Sequence, residues 1–492
     1  MSKNFVNALR KEDNFTETEN GAIALKSTYS SLVDLFGQIG AFRSRTEQDI
    51  ETAFIKAFSE DNLLATKMAF YARDIRFGGL GERRVFRTIL KFLAISYPEI
   101  VKKNIENIAL FGRFDDLYEL VGTPVESVMF DYVKKQWQSD IEGMKNNQSI
   151  SVLGKWLKSV NTSSAESRKL GKLTAKKLGL NEAQYRKQLS ALRKYVDVVE
   201  RKMSANQWTE INYPGVPSRA MTIYRDAFKK HDEEGFNSYI ESVSKGESKI
   251  NANTLFPYDI LEKMGLNTWG SYLSCSKKDK VLEEQWKALP NYIEGENNVL
   301  VMADTSGSMS GRPICTSVGL AIYFAERNHG VFKDVFMTFS SRPSFIQLKG
   351  NSLYEKVRSI PSIIDNTNLQ AAFELILKSA INNNLSQEDM PKSLVIISDM
   401  QFDAQTNDSD MTWHDAMVKM FGRNGYEMPN IIYWNVNSRR DSFQVTSDRK
   451  GVQLASGQSA SVFKSILKNI GLTPYEAMIN TLNNPAYDCI VI

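Results

Sequence analysis

Residues 300–308 read Leu300-Val301-Met302-Ala303-Asp304-Thr305-Ser306-Gly307-Ser308, an apolar run that breaks into one carboxylate and two hydroxyls. Four consecutive apolar residues ending in a polar turn predict a buried strand. The spacing of Asp304, Ser306 and Ser308 gathers three oxygen donors in one turn. Hard divalent cations take oxygen ligands, and Mg²⁺ keeps several of its waters. One carboxylate with two hydroxyls leaves such an ion underneutralised, with a position open to an acidic group from elsewhere. A helix N-cap without any ion is the other reading of this turn.

Two further segments belong with it. Ser393-Leu394-Val395-Ile396-Ile397-Ser398-Asp399 is a second apolar strand ending in a carboxylate, and Asp365-Asn366-Thr367-Asn368 is a polar loop before a helical run. Asp304, Ser306, Ser308, Thr367 and Asp399 together resemble the metal-ion-dependent adhesion site of von Willebrand factor A domains. The resemblance implies that the hydroxyls of the two serines and the threonine sit on or near a Mg²⁺ or similar cation. The two aspartates would bind it directly or through water. Asn366 and Met400 stand where that family often has glycine, which touches backbone freedom more than ligand chemistry.

Around these motifs strand and helix alternate. Strands are expected at 299–303, 332–339, 344–348, 394–397, 431–436 and 451–455. Helices are expected at 314–327, 369–377, 415–421 and 459–467. Continuous apolar strands separated by helices mean a mainly parallel, doubly wound sheet covered on both faces. Ligands of such sheets bind at strand carboxyl ends, where strand order reverses. The expected fold is therefore multidomain, with an α/β domain at 291–492 following an all-α domain at 1–290.

The first 290 residues show no comparable strands. Amphipathic helices are expected at 46–59, 62–75, 82–95, 98–108, 114–121 and 125–142, punctuated by Gly78, Gly79, Gly81, Pro98, Gly112 and Pro124. Short helices joined by tight turns suggest a HEAT-like helical-repeat solenoid or ring, with an ordinary bundle as the alternative. The turns Ala72-Arg73-Asp74-Ile75-Arg76-Phe77-Gly78-Gly79-Leu80-Gly81-Glu82-Arg83 and Phe111-Gly112-Arg113-Phe114-Asp115-Asp116-Leu117 resemble the TROVE module of the Ro autoantigen family. That family pairs a ring of helical repeats with a C-terminal A domain, the order found here. The resemblance implies a divergent ribonucleoprotein component whose ligands are small structured or misfolded RNAs.

Charge is uneven. The whole chain is only +4, but residues 154–202 hold 13 Lys/Arg against 4 Asp/Glu, a local +9. Such an excess is the footprint of a phosphate-binding face. Asn181 and Gln184 form a capping box opening a helix expected to run to Met203. Leu189, Leu192, Val196 and Val199 fall on one face, with Lys187, Lys194 and Arg201 opposite and Arg186 and Arg193 on the flank. Lys155, Lys158, Arg168, Lys169, Lys172, Lys176 and Lys177 extend the patch. Trp156 and Tyr185 are expected to stack on unpaired bases; a solvated lysine-rich helix face is the bland alternative. The loop Asn212–Ala220, stiffened by two prolines, either carries Tyr213 and Arg219 toward the ring opening or merely joins helices.

No phosphate-binding loop, zinc motif or nucleophile elbow is present, and His231, His329 and His414 are isolated. No enzyme is expected. Three scattered cysteines, no leader-like N-terminus and no apolar run long enough to span a bilayer point to a cytoplasmic protein without membrane contact. The leading expectation is an RNA-binding scaffold whose A domain captures a partner's carboxylate through the metal. A metal-dependent protein-assembly module without nucleic acid is the alternative.

Overall fold

A computed structural model describes residues 9, 13–269, 272–295, 297–339, 342–361, 367–404 and 411–492. Helices dominate the N-terminal part, and a six-stranded sheet with flanking helices forms the C-terminal part. The sheet strands are β5 (Val299–Asp304), β6 (Val335–Phe339), β7 (Ser344–Gln347), β8 (Ser393–Ser398), β9 (Asn430–Asn435) and β10 (Val452–Ser456). Their order is β10-β9-β8-β5-β6-β7, parallel throughout except for the β6–β7 pair. Every residue of β5, β6, β8 and β10 is buried, as expected for strands covered on both faces. Strand β7 alternates in exposure, which suits its place at an edge. Chain order reverses between β5 and β8, so the carboxyl ends of these two neighbours mark the switch point.

Two short antiparallel hairpins correct the expectation of a strand-free N-terminal part: β1 (Phe15–Glu17) with β2 (Ile23–Leu25), and β3 (Asn267–Trp269) with β4 (Tyr272–Ser274). Three-residue strands leave too little periodicity to be seen in sequence. The first hairpin lies against the sheet part, Leu25 exchanging backbone bonds with Phe443 at 2.7 and 2.9 Å. A little further on, Gly40 meets Gly457 so closely that a Cβ on Gly40 would stand 2.6 Å from the Gly457 Cα. The chain's other end returns the contact. Tyr487 donates its hydroxyl to Asp74 at 2.9 Å, and the Val491 N–H donates to Asn104 Oδ1 at 3.2 Å. The two parts are thus laced together by both chain ends.

Helices Glu47–Glu60, Asn62–Arg73, Arg83–Ser96 and Glu126–Lys145 lie close to their expected bounds. Thr46 and Asp49 cap the first with a reciprocal box, and Asp61 caps the second. Three expected helices differ. The one at 98–108 divides at Asn104, whose side chain holds the Ile100 and Val491 carbonyls at 2.8 and 2.6 Å. The segment Phe114–Leu120 is 3₁₀. The long basic helix divides into Glu182–Tyr195 and Val199–Ser204, because Asp197 takes a left-handed φ of 49° between them. Its capping box is present, Asn181 and Gln184 exchanging bonds at 2.9 and 3.0 Å.

Candidate functional site

Strand β5 delivers Asp304 to the carboxyl edge of the sheet, and β8, its hydrogen-bonded neighbour, delivers Asp399 one residue past its own end. Both carboxylates are fully buried. Asp304 Oδ1 accepts the Ser306 N–H at 2.9 Å, and Oδ2 accepts the Ser398 hydroxyl at 2.5 Å. The Ser306 and Ser308 hydroxyls stand 3.1 Å apart. Asp399 Oδ1 accepts a long bond from the Gln401 N–H at 3.3 Å, while Oδ2 is buried with no hydrogen-bond partner among the described residues. Burial, and then the charge of Asp399, push Asp304 up to about 7 against the pull of the Ser306 and Ser398 bonds. Burial raises Asp399 too, opposed by Ser308 and the Gln401 N–H.

Thr367 is buried, and its carbonyl accepts the Asp403 N–H at 3.2 Å, tying its loop to the segment beyond Asp399. Asp365 and Asn366 lie outside the described residues. Met400 adopts φ 64°: the backbone takes the glycine-like conformation although the side chain is not glycine, with its N–H held by Ser398 Oγ at 3.0 Å. Two buried carboxylates, one with an orphaned oxygen, and neighbouring hydroxyls are a donor set that fits a hard divalent cation. Among the described residues no three His, Cys, Asp or Glu side chains gather into a metal group. This set has two carboxylates and draws the rest from hydroxyls. Ser398, which orients Asp304, was missed in the sequence because it reads as the last strand residue.

The second site is a pair of joined cavities in the helical part. The wider, about 1400 Å³, is lined by Lys155, Arg186, Lys187, Arg193 and Arg201, and by Arg76, Arg113 and Arg219, with Glu200 the one carboxylate among the described lining residues. The narrower, about 890 Å³, shares Arg76, Arg113 and Arg219 with it. Lys158, Arg168, Lys169, Lys172, Lys176 and Lys194 do not line either cavity. Several of these are engaged elsewhere: Lys172 pairs with Glu182 at 3.1 Å, and Arg168 donates to the Thr162 and Ser163 carbonyls at 2.8 and 2.9 Å. Arg193 is also spent on structure, holding Gly154, Leu157 and Ser159 oxygens at 2.8–2.9 Å.

Of the two aromatics, Trp156 reaches the wide cavity with the Arg113 guanidinium 4.5 Å from its ring centre. Tyr185 corrects its expectation: it is fully buried, stacked on Trp137 and bonded to the Lys158 carbonyl at 2.8 Å. Its place on the inward face of a core helix outweighs its stacking potential. The loop at 212–220 divides likewise, Arg219 entering both cavities and Tyr213 joining a second small core with its hydroxyl on Asp232 at 2.7 Å.

A domain-of-unknown-function family model, DUF2828, matches residues 18–149 and 150–298, more than half of the chain. The chain belongs to the DUF2828 family. A second model, DUF7788, likewise described as a domain of unknown function, matches residues 298–484. The chain is also 28% identical over 519 aligned residues to uncharacterized protein L728 of Acanthamoeba polyphaga mimivirus, covering 96% of this chain and 89% of that protein.

The basic cavities of this DUF2828 protein lie within the DUF2828 match, apart from residues such as Arg312 and Ser459 on the narrower wall. The carboxylate site lies within the DUF7788 match. The two turns quoted above stand side by side, the Ile75 N–H donating to the Phe111 carbonyl at 3.1 Å. Between them Asp116, fully buried, accepts Arg73 Nε at 2.8 Å and Arg87 Nε at 2.7 Å. Gly112 is required there, since a Cβ would lie 2.5 Å from Asp116 Oδ2.

Proposed function

We propose that this chain is an RNA-binding scaffold, a ribonucleoprotein component. Its basic cavity takes RNA backbone, and its sheet part is a von Willebrand A-like domain that captures an acidic protein partner through a divalent cation. On this reading the N-terminal helices are a divergent TROVE-like repeat ring. The observation that supports it best is the wide cavity, where eight Lys or Arg side chains face one carboxylate among the described lining residues. Phosphate is the commonest ligand that answers such an excess, and Trp156 offers a ring on which a base stacks. At the other site Asp304, Ser306, Ser308, Thr367 and Asp399 would hold Mg²⁺, which when bound supplies an open coordination position for a carboxylate.

The test is fluorescence anisotropy with a labelled single-stranded RNA across a salt series. Affinity falls steeply with salt, because bound phosphates release counterions. Arg186→Glu with Lys187→Glu and Arg201→Glu lowers affinity at least tenfold and flattens the slope, whereas Lys194→Glu, off the cavity, leaves both nearly unchanged. Equal loss from both sets would make the effect one of overall charge and would remove the cavity from the reading. A chain that binds no RNA but captures partner protein only in Mg²⁺, and not in EDTA, would favour the assembly module.

A further inference from the structure

The narrower cavity carries eight arginines against Asp74 and Glu82, and most of those arginines are spoken for. Arg43 forks onto Glu82 at 2.8–3.1 Å. Arg73 holds Asp116 at 2.8 Å, and Arg312 holds Glu262 at 2.7 Å. Arg76 is bonded to the Ala109 and Gly112 carbonyls at 3.0 and 2.9 Å. Arg84 is bonded to the Phe42 and Arg45 carbonyls at 2.7 and 2.6 Å. These five are walls.

Three are not. Arg83 is exposed to the cavity, and among the described residues it has no carboxylate at ion-pair distance. Arg113, at the junction of the two cavities, has no ion pair either; its guanidinium rests on the Trp156 ring. Arg219, also at the junction, has one bond of 3.2 Å to Asp259. Arg113 sits among like charges: burial, then Arg73, and after it Arg219 and Arg83, push it down to about 10 against the pull of Asp115. Two helices add to this. Ser218–His231 begins beside the cavity with Arg219 in its first turn, no acidic residue there and no side-chain cap. Arg83–Ser96 begins with two arginines after Glu82, whose carboxylate does not cap the helix and is held by Arg43 at 2.8 Å. Cations at a helix N-terminus oppose the macrodipole, an arrangement that an anion between them would reverse.

We propose that the junction of the two cavities is a phosphomonoester site, in which Arg83, Arg113 and Arg219 hold a terminal phosphate and the rest of the ligand extends over Trp156 into the wide cavity. A terminal phosphate carries about −1.5 to −2 at neutral pH and offers three acceptor oxygens. That matches two unpaired guanidinium groups and a third that is half-engaged. An internal phosphodiester, with a single charge and two free oxygens, leaves this set underneutralised. Planar guanidinium forks suit such oxygens better than ammonium groups do. Two sources carry the chemistry, a free nucleoside monophosphate and the phosphorylated end of an RNA strand. The inference requires only the junction, and it stands for a mononucleotide even if RNA is not the ligand.

The experiment is calorimetric titration of the full chain with AMP and with adenosine, then with one short RNA bearing a 5′-phosphate, a 3′-phosphate or hydroxyls at both ends. AMP is expected to bind at least tenfold more tightly than adenosine, and Arg113→Gln to erase the difference. Arg83→Gln, at an exposed position, gives the same loss if Arg113→Gln melts early. A phosphorylated RNA that binds tenfold better than its hydroxyl form, in competition with AMP, assigns the site to strand ends. Phosphate preference confined to AMP assigns it to free nucleotide. If adenosine equals AMP and all RNA forms bind alike, the inference is overturned while the RNA reading survives. If AMP discriminates and no RNA binds, the reverse holds.

Discussion

At the carboxyl end of the sheet, Asp304 and Asp399 are fully buried with no cation at ion-pair distance among the described residues. In the helical part, Asp116 is equally buried but takes two guanidinium groups and the Arg113 N–H, at 2.7–3.0 Å. Both regions remove carboxylate from water, which is costly unless the charge is answered. In the Asp116 region the chain itself supplies the answer, and the group serves as scaffold. At the sheet edge the answer is partial. Asp304 has the Ser306 and Ser398 bonds, Asp399 Oδ2 has none among the described residues, and Arg439 acts on Asp399 only from beyond ion-pair distance. The arginines divide by the same rule: Arg73 is compensated, while Arg83 and Arg113 are not.

The largest effect comes from breaking the compensated case. Asp116→Ala strands Arg73, whose side chain is 2% exposed, and removes one of the carboxylates paired with Arg87, leaving it Asp115 and Glu119. Losing one side of a buried pair costs about 3–5 kcal/mol. The expected outcome is a large drop in denaturant midpoint with both turns loosened, seen as faster amide exchange at Ile75 and Arg113. A loss below about 1 kcal/mol would mean that Asp116 is not bearing the two arginines.

The uncompensated case is expected to behave with the opposite sign. In EDTA, Asp399→Asn removes one of two buried like charges and leaves stability unchanged or slightly higher. In Mg²⁺ the parent chain gains about 2.7 kcal/mol at a hundredfold excess over Kd, and the variant gains none. Thermal melts with and without metal read both halves. A parent chain indifferent to Mg²⁺, Mn²⁺ and Ca²⁺ would remove the cation from the reading of this site.

The two regions were unequally legible. The sheet site is spelled out by contiguous text, since a strand and its terminal carboxylate are neighbours in sequence. Parallel topology then brings β5 and β8 side by side by a general rule. The cavity has no such text. Lys187 and Arg201 are visible as a basic cluster, but Arg76 and Arg113 come from distant turns earlier in the chain, and Arg219 from the start of the helix Ser218–His231. Lys194 and Arg201 show the limit of helical-face arithmetic: helical phase puts them on one face, but the helix stops at Tyr195 and only Arg201 reaches the cavity. Asp197, in a left-handed conformation that its side chain tolerates better than most, resets the phase before Val199. The hairpin at 15–25 was missed because its strands are three residues long and are held by a distant partner, Phe443.

His414 adds a third way of treating buried charge, which is to discharge it. Its ring is 2% exposed, with Nδ1 3.1 Å from the Tyr433 hydroxyl. Burial, helped by the charge of Arg449, pushes it down to about 3. At pH 7 it is neutral folded and mostly neutral unfolded, so it contributes nothing to the pH dependence there. Below about 6.5, the ordinary value for histidine, the unfolded chain takes up a proton that the folded chain refuses. Stability then falls as pH drops from about 6.5 toward 3, by about 1.4 kcal/mol per unit. At pH 5 the contribution is about 2 kcal/mol. Subtracting the melting curve of His414→Gln isolates this group from carboxylates such as Asp34, which burial pushes up to about 6 and which act with the opposite sign. The parent chain is expected to lose more stability than the variant between pH 7 and pH 5. Parallel curves would mean that the folded protein admits the proton, and that the ring is not sealed under the sheet as its contacts require.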